Sequence, residues 1–219
     1  ILERNIEKMK KENRKDQEFQ TLESVYATLN EEVPLRNKEF NETDLKILSK
    51  YGLTTTKPMI LLINTAESNY STINLLEFKT LEKKYSFRTL KISGTLEYEI
   101  SRLPEEEQKP FLEEMKISSP VRDRFIQESF DLMSLIPFFT VGKDEVKSWT
   151  IRKGDSAHKA AGKIHSDIAK GFIRAEVINF ETFIKTKSLV EAKKRGEMRL
   201  EGKEYQVTNG DIINFRFNV

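Results

Sequence analysis

An amide and a carboxylate three residues apart, Asn64 and Glu67, stand where an apolar run stops. Met59-Ile60-Leu61-Leu62-Ile63 leads directly into Asn64-Thr65-Ala66-Glu67. Asn supplies a donor and an acceptor, and Glu supplies acceptors, a set able to read the edge of a purine base. The same residue types also make an ordinary polar turn that caps a following helix. A second polar turn, Ser93-Gly94-Thr95-Leu96-Glu97, follows a second apolar run. Gly94 would let the backbone come close to a ligand, and Ser93 adds a hydroxyl.

For these turns to act together, the elements before them must place them together. The run at 59–63 follows Pro58 and reads as a fully buried strand. Residues 71–84 have Ile73, Leu76, Thr80 and Leu81 on one helical stripe, and Phe87–Ser93 reads as a second strand. Strand, helix and strand at this length form a βαβ unit, whose strands are parallel. Asn64 and Ser93-Gly94 then share the carboxyl edge of one sheet, where open α/β sheets bind ligands. A base pocket and a plain pair of loops both remain compatible with this pattern.

The rest of the chain reads in segments. Residues 1–30 carry apolar positions at Ile6, Met9, Phe19, Leu22, Val25 and Leu29 among Lys, Glu, Asn and Gln. One or two solvated helices are expected there, as an arm of a helical hairpin. Residues 31–40, with Pro34, form a connector, and Thr43–Tyr51 is a short helix stopped by Gly52. Leu103–Glu107 opens an acidic helix. Ser119-Pro120 starts a helix to about 135, with Phe125, Leu132 and Ile136 as its buried stripe. Pro137 should end it and make 137–147 a domain boundary. In the last third, Trp149–Arg152, Phe172–Phe180, Tyr205–Thr208 and Asp211–Phe217 read as strands. Ala157–Ala169 and Ser188–Arg195 read as helices, with Ala161, Ile164 and Ile168 facing inward. Asn209-Gly210 predicts a tight hairpin turn between the last two strands. The pattern is α+β, close to a ubiquitin-like β-grasp.

The 219 residues suggest one or two domains with room for real cores. There is no cysteine, which excludes disulfides and cysteine-based zinc sites and fits a reducing compartment. No apolar stretch is long enough to cross a bilayer and no signal-peptide pattern opens the chain, so no membrane partner is expected. The chain opens on Ile1 rather than Met, so further sequence is expected before it. Residues 1–137 hold 21 basic against 24 acidic side chains, while residues 138–219 hold 16 against 11. The basic last third is either an ordinary solvated surface or one that faces nucleic acid or the ribosome.

Glycine spacing excludes several chemistries. No two of the nine glycines are five apart, so no G-x-x-x-x-G-K-S/T phosphate loop is present. None are two apart, which removes G-x-G-x-x-G, and no Asp stands three residues before a Gly. G-x-S-x-G and H-E-x-x-H are also missing. His158 and His165 are seven apart, about 10.5 Å on a helix, too far to share a metal. No catalytic residue and no metal site are therefore assigned. The chain carries a means of reading a base and no visible means of holding phosphates, Mg²⁺ or a hydrolytic water.

The run from Phe138-Phe139-Thr140-Val141-Gly142-Lys143-Asp144-Glu145 through Trp149-Thr150-Ile151-Arg152-Lys153-Gly154 resembles the segment leading into the TGS domain of the YchF/Obg-like ATPases. The resemblance continues through Ala160–Asp167, Lys170–Val177, Gly202–Tyr205, Asn209–Ile213 and Phe215–Val219. It covers residues 33–219, and residues 1–32 are compatible with the family's coiled-coil arm. It implies an α/β plus α+β chain: a helical arm at 1–50, the C-terminal half of a P-loop NTPase G domain at 51–139, and a β-grasp TGS domain at 140–219.

In that family Asn64-Thr65-Ala66-Glu67 falls on the base-recognition motif, where GTPase relatives carry N-K-x-D. The N-x-x-E form implies ATP in preference to GTP. Asn64 would contact adenine, Thr65 would lie against base or ribose, and Glu67 would shape the pocket. Ser93-Gly94-Thr95 matches the next base-side loop, where Ser is commonly followed by Ala and Lys. The resemblance implies an ATP hydrolase using Mg²⁺, with its phosphate loop outside this chain, so the chain alone should be inactive. It also implies a cytoplasmic monomer, an organellar copy remaining open, that associates with the ribosome or rRNA. Arg152, Lys153, Lys159, Lys163, Lys170 and Arg174 are the candidate contacts. The alternative is a truncated, non-catalytic module that docks on ribosome or RNA.

Overall fold

The computed structural model describes residues 1–142, 145–186 and 188–218. Lys143, Asp144 and Val219, from the runs quoted above, lie outside the described residues. The chain divides into two units, Ile1–Ile126 and Gln127–Val219.

The first unit opens with helices α1 (Leu2–Lys11), α2 (Gln17–Asn30) and α3 (Glu42–Ser49). Asp16 and Asn41 cap the second and third, accepting from Phe19 N at 3.0 Å and Asp44 N at 2.9 Å. Leu2, Ile6, Met9, Leu22, Val25, Leu35 and Leu48 form their shared core. The expected arm is thus a small packed body, and Leu35 of the connector is one of its core residues.

Strands β1 (Ile60–Asn64) and β2 (Arg88–Ile92) pair in parallel, with Asn64 opposite Ile92. Between them run two short helices, α4 (Glu67–Tyr70) and α5 (Lys79–Tyr85). The expected βαβ order holds, with three corrections. First, β1 is not fully buried: Leu61 and Leu62 are 40% and 44% exposed, because the sheet has only two strands and neither face is closed over. Second, 71–84 is not one helix. Asn74 turns its side chain onto Leu76 N at 3.0 Å and starts a 3₁₀ turn, Leu75–Phe78, which leaves Leu76 and Leu81 exposed. Third, Gly94 is not in a loop but opens helix α6 (Gly94–Arg102). Leu96 and Ile100, one turn apart, bury with Leu112 and Ile117, and α7 (Glu105–Glu114) supplies the first of these.

Side chains occupy part of the outer edge of β2. Glu82 accepts from Thr89 N at 2.7 Å, and the Lys91 carbonyl accepts from Arg124 at 3.1 Å. Burial pushes the Glu82 carboxyl up, but hydrogen bonds from Lys79 and Thr89 hold it below its ordinary value. The β1 edge is the more open one for another strand.

Helix α8 (Val121–Leu132) spans the division between the units. It ends before Pro137 because Ser134 takes a left-handed conformation, φ 53°. Ile136 and Pro137 then lie in strand β3 (Leu135–Val141), so the sheet of the second unit begins ahead of the expected boundary. Phe125 is exposed and Leu132 half-buried, which breaks the expected stripe.

Beyond β3 come β4 (Val146–Arg152), α9 (Ala157–Ile164), α10 (Ser166–Lys170), β5 (Phe172–Asn179), α11 (Phe180–Thr186), α12 (Leu189–Lys194), β6 (Arg199–Glu201) and β7 (Asp211–Phe217). The sheet order is β4-β3-β7-β5-β6, with β3 and β7 parallel. The helix expected over 157–169 breaks at His165, which is extended. Residues 205–208 are not a strand paired with β7. They are held instead at the start of α9, where Ala157 N donates to Tyr205 O at 2.7 Å and Val207 N to Asp155 O at 3.1 Å. Asn209-Gly210 is still a tight turn, with Gly210 at φ 81°, but it feeds β7 between β3 and β5.

One face of this sheet packs on α9 through Phe138, Ile151, Ala160, Ala161, Ala175 and Val177. Alternation puts Arg174 and Glu176 on the other face. Glu176 is a hub there: it accepts from Asn214 at 2.9 Å and Lys193 at 3.2 Å, and it pairs with Arg216. The Asn214 hydrogen bond is the largest influence holding its carboxyl below the ordinary 4.5, against burial and with help from Arg216 and Lys193.

Two outcomes are expected. Phe138 is fully buried and meets Phe215 edge-on at 6.2 Å. Phe138→Ala should cost the second unit about 3–5 kcal/mol in a denaturant melt. Because the folded pKa of Glu176 is depressed, its contribution is complete above 4.5 and is lost as pH falls through the folded value. Glu176→Gln should therefore flatten the fall in thermal midpoint on acidification below that pH.

Candidate base-reading site

The parallel register brings the two predicted turns together. Asn64 ends β1 and Ile92 ends β2 directly beside it. Thr65 N donates to Ile92 O at 2.9 Å, extending the ladder by one residue, and the Thr65 hydroxyl reaches the same carbonyl at 3.3 Å. Gly94 N donates to Asn64 Oδ1 at 3.1 Å. A backbone N–H can only donate, so the Asn64 oxygen must face Gly94 and the amide NH₂ is left to donate elsewhere. Asn64, Gly94 and Thr95 are exposed.

Each of the other residues has a definite place. Ser93 is fully buried, and its hydroxyl has no hydrogen-bond partner. Glu67 is exposed in the first turn of α4, where a carboxylate favours the helix N-terminus. Thr65 is thus committed largely to the sheet, while Asn64 and Ser93 retain unused polar capacity. A Cβ on Gly94 would meet Asn64 Oδ1 at 3.6 Å, an ordinary contact, so Gly94 is not forced by sterics.

The sequence reading missed Lys91 and Arg124 around this site and named Glu97 only as the end of a polar turn. Lys91 donates to Tyr70 O at 2.6 Å and Ile73 O at 3.1 Å and stands 4.6 Å from the centre of the Tyr70 ring. Arg124 and Glu97 pair at 3.0 Å with little exposure. No local signal marks them: each is a charged residue in a charged chain, and only packing turns it inward.

The six candidate basic contacts do not form one surface. Lys159 and Lys163 lie on α9, and Lys159 is paired with Asp155 at 2.9 Å. Lys170 ends α10 near Asp167, at 3.9 Å. Arg152 and Arg174 alternate with the inward Ile151 and Ala175, so they belong to the opposite face of the sheet. Lys153 follows β4 in a turn, its N–H on Ser134 O at 2.8 Å. Arg174 stands on the Glu176 face, opposite Arg216 of β7. Among the described residues no group of three or more His, Asp or Glu gathers as a metal site. No helix of the described residues is long and apolar enough to cross a membrane.

Comparison with known proteins gives a consistent answer. The family model YchF-GTPase_C, described as a protein of unknown function, matches residues 135–218. The ribosome-binding ATPase YchF of Bacillus subtilis is 36% identical over 220 residues, covering 98% of this chain and 60% of that protein. The YchF of Buchnera aphidicola from Schizaphis graminum is 40% identical over 185 residues, covering 84% and 51%. Obg-like ATPase 1 of Xenopus laevis is 40% identical over 185 residues, covering 82% and 46%. The solved YchF GTPase of Schizosaccharomyces pombe superposes with a TM-score of 0.80 at 28% identity, covering 98% of this chain and 61% of that one. The chain spans roughly half to three fifths of the length of these relatives. Its α/β fold, its mixed sheet and its sequence agree: the chain belongs to the YchF family of Obg-like ATPases.

Proposed function

We propose that this chain is the base-reading and C-terminal part of an ATP-hydrolysing P-loop NTPase that works on the ribosome. The observation that carries the base assignment is the Gly94–Asn64 hydrogen bond. Adenine and guanine both offer N7 as an acceptor, and the Asn64 NH₂ suits either. Guanine also presents its O6 acceptor, whereas adenine presents a donor at that place. The Gly94 N–H, which could serve O6, is already used by Asn64. That supports adenine over guanine. Glu67 is an exposed acceptor in the first turn of α4, and Ser93, just after β2, holds a buried hydroxyl without a partner.

The sheet supports a larger nucleotide domain. A two-stranded parallel sheet with open leucines is uncommon, because parallel sheets are normally covered on both faces. With the β2 edge partly occupied by Glu82 and Arg124, further strands would join along β1. The phosphate loop, Mg²⁺ and attacking water belong to that further part in this reading. This chain contributes base orientation only, so it should not hydrolyse ATP by itself.

The second unit is read as the TGS domain. Its strand order, with α9 crossing between β4 and β5, matches a β-grasp. Two basic surfaces are then available to RNA: the α9 lysines and the Arg152–Arg174 face. Lys159 is engaged by Asp155, and an engaged cation gains less from a phosphate, which favours the sheet face. The reading places the protein in the cytoplasm as a monomer.

The tests follow directly. The purified chain should show no ATP turnover, and turnover near that of an intact homologue would refute the division of labour. In the longer protein, ATP should bind more tightly than GTP, and Asn64→Ala should weaken both about tenfold, read by calorimetry. Arg152→Glu with Arg174→Glu should reduce co-sedimentation with ribosomes more than Lys159→Glu with Lys163→Glu. Ribosome binding by a natural product of this length, with no nucleotide effect, would favour the non-catalytic module instead.

A further inference from the structure

We infer that Lys91 and the Arg124–Glu97 pair are positioning residues for the base site: together they set the separation of the Asn64 and Gly94 turns. This rests on the base-site reading above. Lys91 serves opposite sides with its two ends. Its ammonium holds the segment after β1, through Tyr70 O at 2.6 Å and Ile73 O at 3.1 Å. Its carbonyl points away from β1, since Ile92 is the neighbour that accepts across the ladder. That outward carbonyl accepts from Arg124 at 3.1 Å.

Arg124 uses its whole fork. Besides Lys91 O, it donates to Ser119 O at 3.0 Å and to Glu97 Oε1 at 3.0 Å. The other oxygen of Glu97 accepts from Val121 N at 2.8 Å. Glu97 stands one turn into α6, and its own N–H binds Ser93 O at 2.9 Å. The side chains of Arg124 and Glu97 are only 16% and 12% exposed, so water replaces these bonds poorly. A single connected chain of hydrogen bonds therefore runs from Tyr70 through Lys91, Arg124 and Glu97 to Ser93. It begins six residues after Asn64 and ends next to Gly94. None of its charged side chains needs to touch the base. Their effect is on the Asn64 Oδ1 to Gly94 N distance and on the direction of the free Asn64 NH₂. Directional recognition falls steeply when such a distance is relaxed.

The test uses the 219-residue chain with adenosine and guanosine as probes, followed by the Gly94 and Thr65 amide signals in NMR. Lys91→Met, Arg124→Lys and Glu97→Gln are compared with Asn64→Ala, each at a temperature where its spectrum is that of a folded chain. Lys retains the charge of Arg124 but not its fork, and Gln retains the acceptor for Val121, so these two variants keep the question open to measurement if Lys91→Met fails to fold. Each positioning variant should raise the adenosine Kd about tenfold and narrow the adenosine-to-guanosine ratio. Lys91→Arg, which keeps a donor for both carbonyls, should restore most of the affinity. If Asn64→Ala weakens binding while the three variants leave Kd and selectivity unchanged, the proposal falls and the base site stands. If Asn64→Ala itself leaves binding unchanged, the base-site reading falls and takes this proposal with it.

Discussion

The parallel pairing of β1 with β2 is the constraint on which the first unit depends. It sets Asn64 opposite Ile92, and every later feature of the candidate site follows from that register. A one-residue slip would turn each side chain of β2 to the other face and move Gly94 out of reach of Asn64. The crossover between the strands is built from short, irregular pieces, so its own regularity cannot be what holds the register. The ladder itself, from Arg88 N on Met59 O to Thr65 N on Ile92 O, holds it, while Thr89 N on Glu82 and Arg124 on Lys91 O occupy part of the outer edge of β2. These two bonds take up part of an otherwise open sheet edge.

The second unit meets a different demand with a similar economy of parts. Its mixed sheet buries one face on α9, and helices α11 and α12 cover part of the other through Ile178, Ala192 and Ile212. The uncovered remainder is polar and is organised around one carboxylate. Glu176 balances Lys193 and Arg216 and bonds Asn214, so the basic side chains of this face are held in place. Arg216, absent from the sequence reading, belongs to this face by its register with Arg174.

The elements that were misread share one cause. The run 71–84 has a helical stripe, yet Asn74 finds a local bond that competes with the helix. Pro137 looks like a helix stop, yet the helix has already ended at Leu132, and Pro137 sits in a strand. Residues 205–208 alternate like a strand, yet their backbone groups are taken by the start of α9. In each case the local pattern was real, and a competing claim on the backbone, two residues away at Asn74 and in another element at 205–208, decided the outcome.

The chain by itself determined the βαβ order, the polar turns at Asn64 and Ser93, the absence of a phosphate loop, and the family. These depend on residue types and on spacings of a few residues, which are read without a third dimension. Tertiary structure alone decided that Gly94 occupies the Asn64 oxygen, that Lys91, Glu97 and Arg124 turn inward, and that the basic residues divide between two faces. Those outcomes depend on side-chain direction across contacts separated by 20 to 40 residues for the first group. A charged residue carries no sequence mark of whether it will meet water or a buried carbonyl, because only the packed neighbours set the cost of desolvating it.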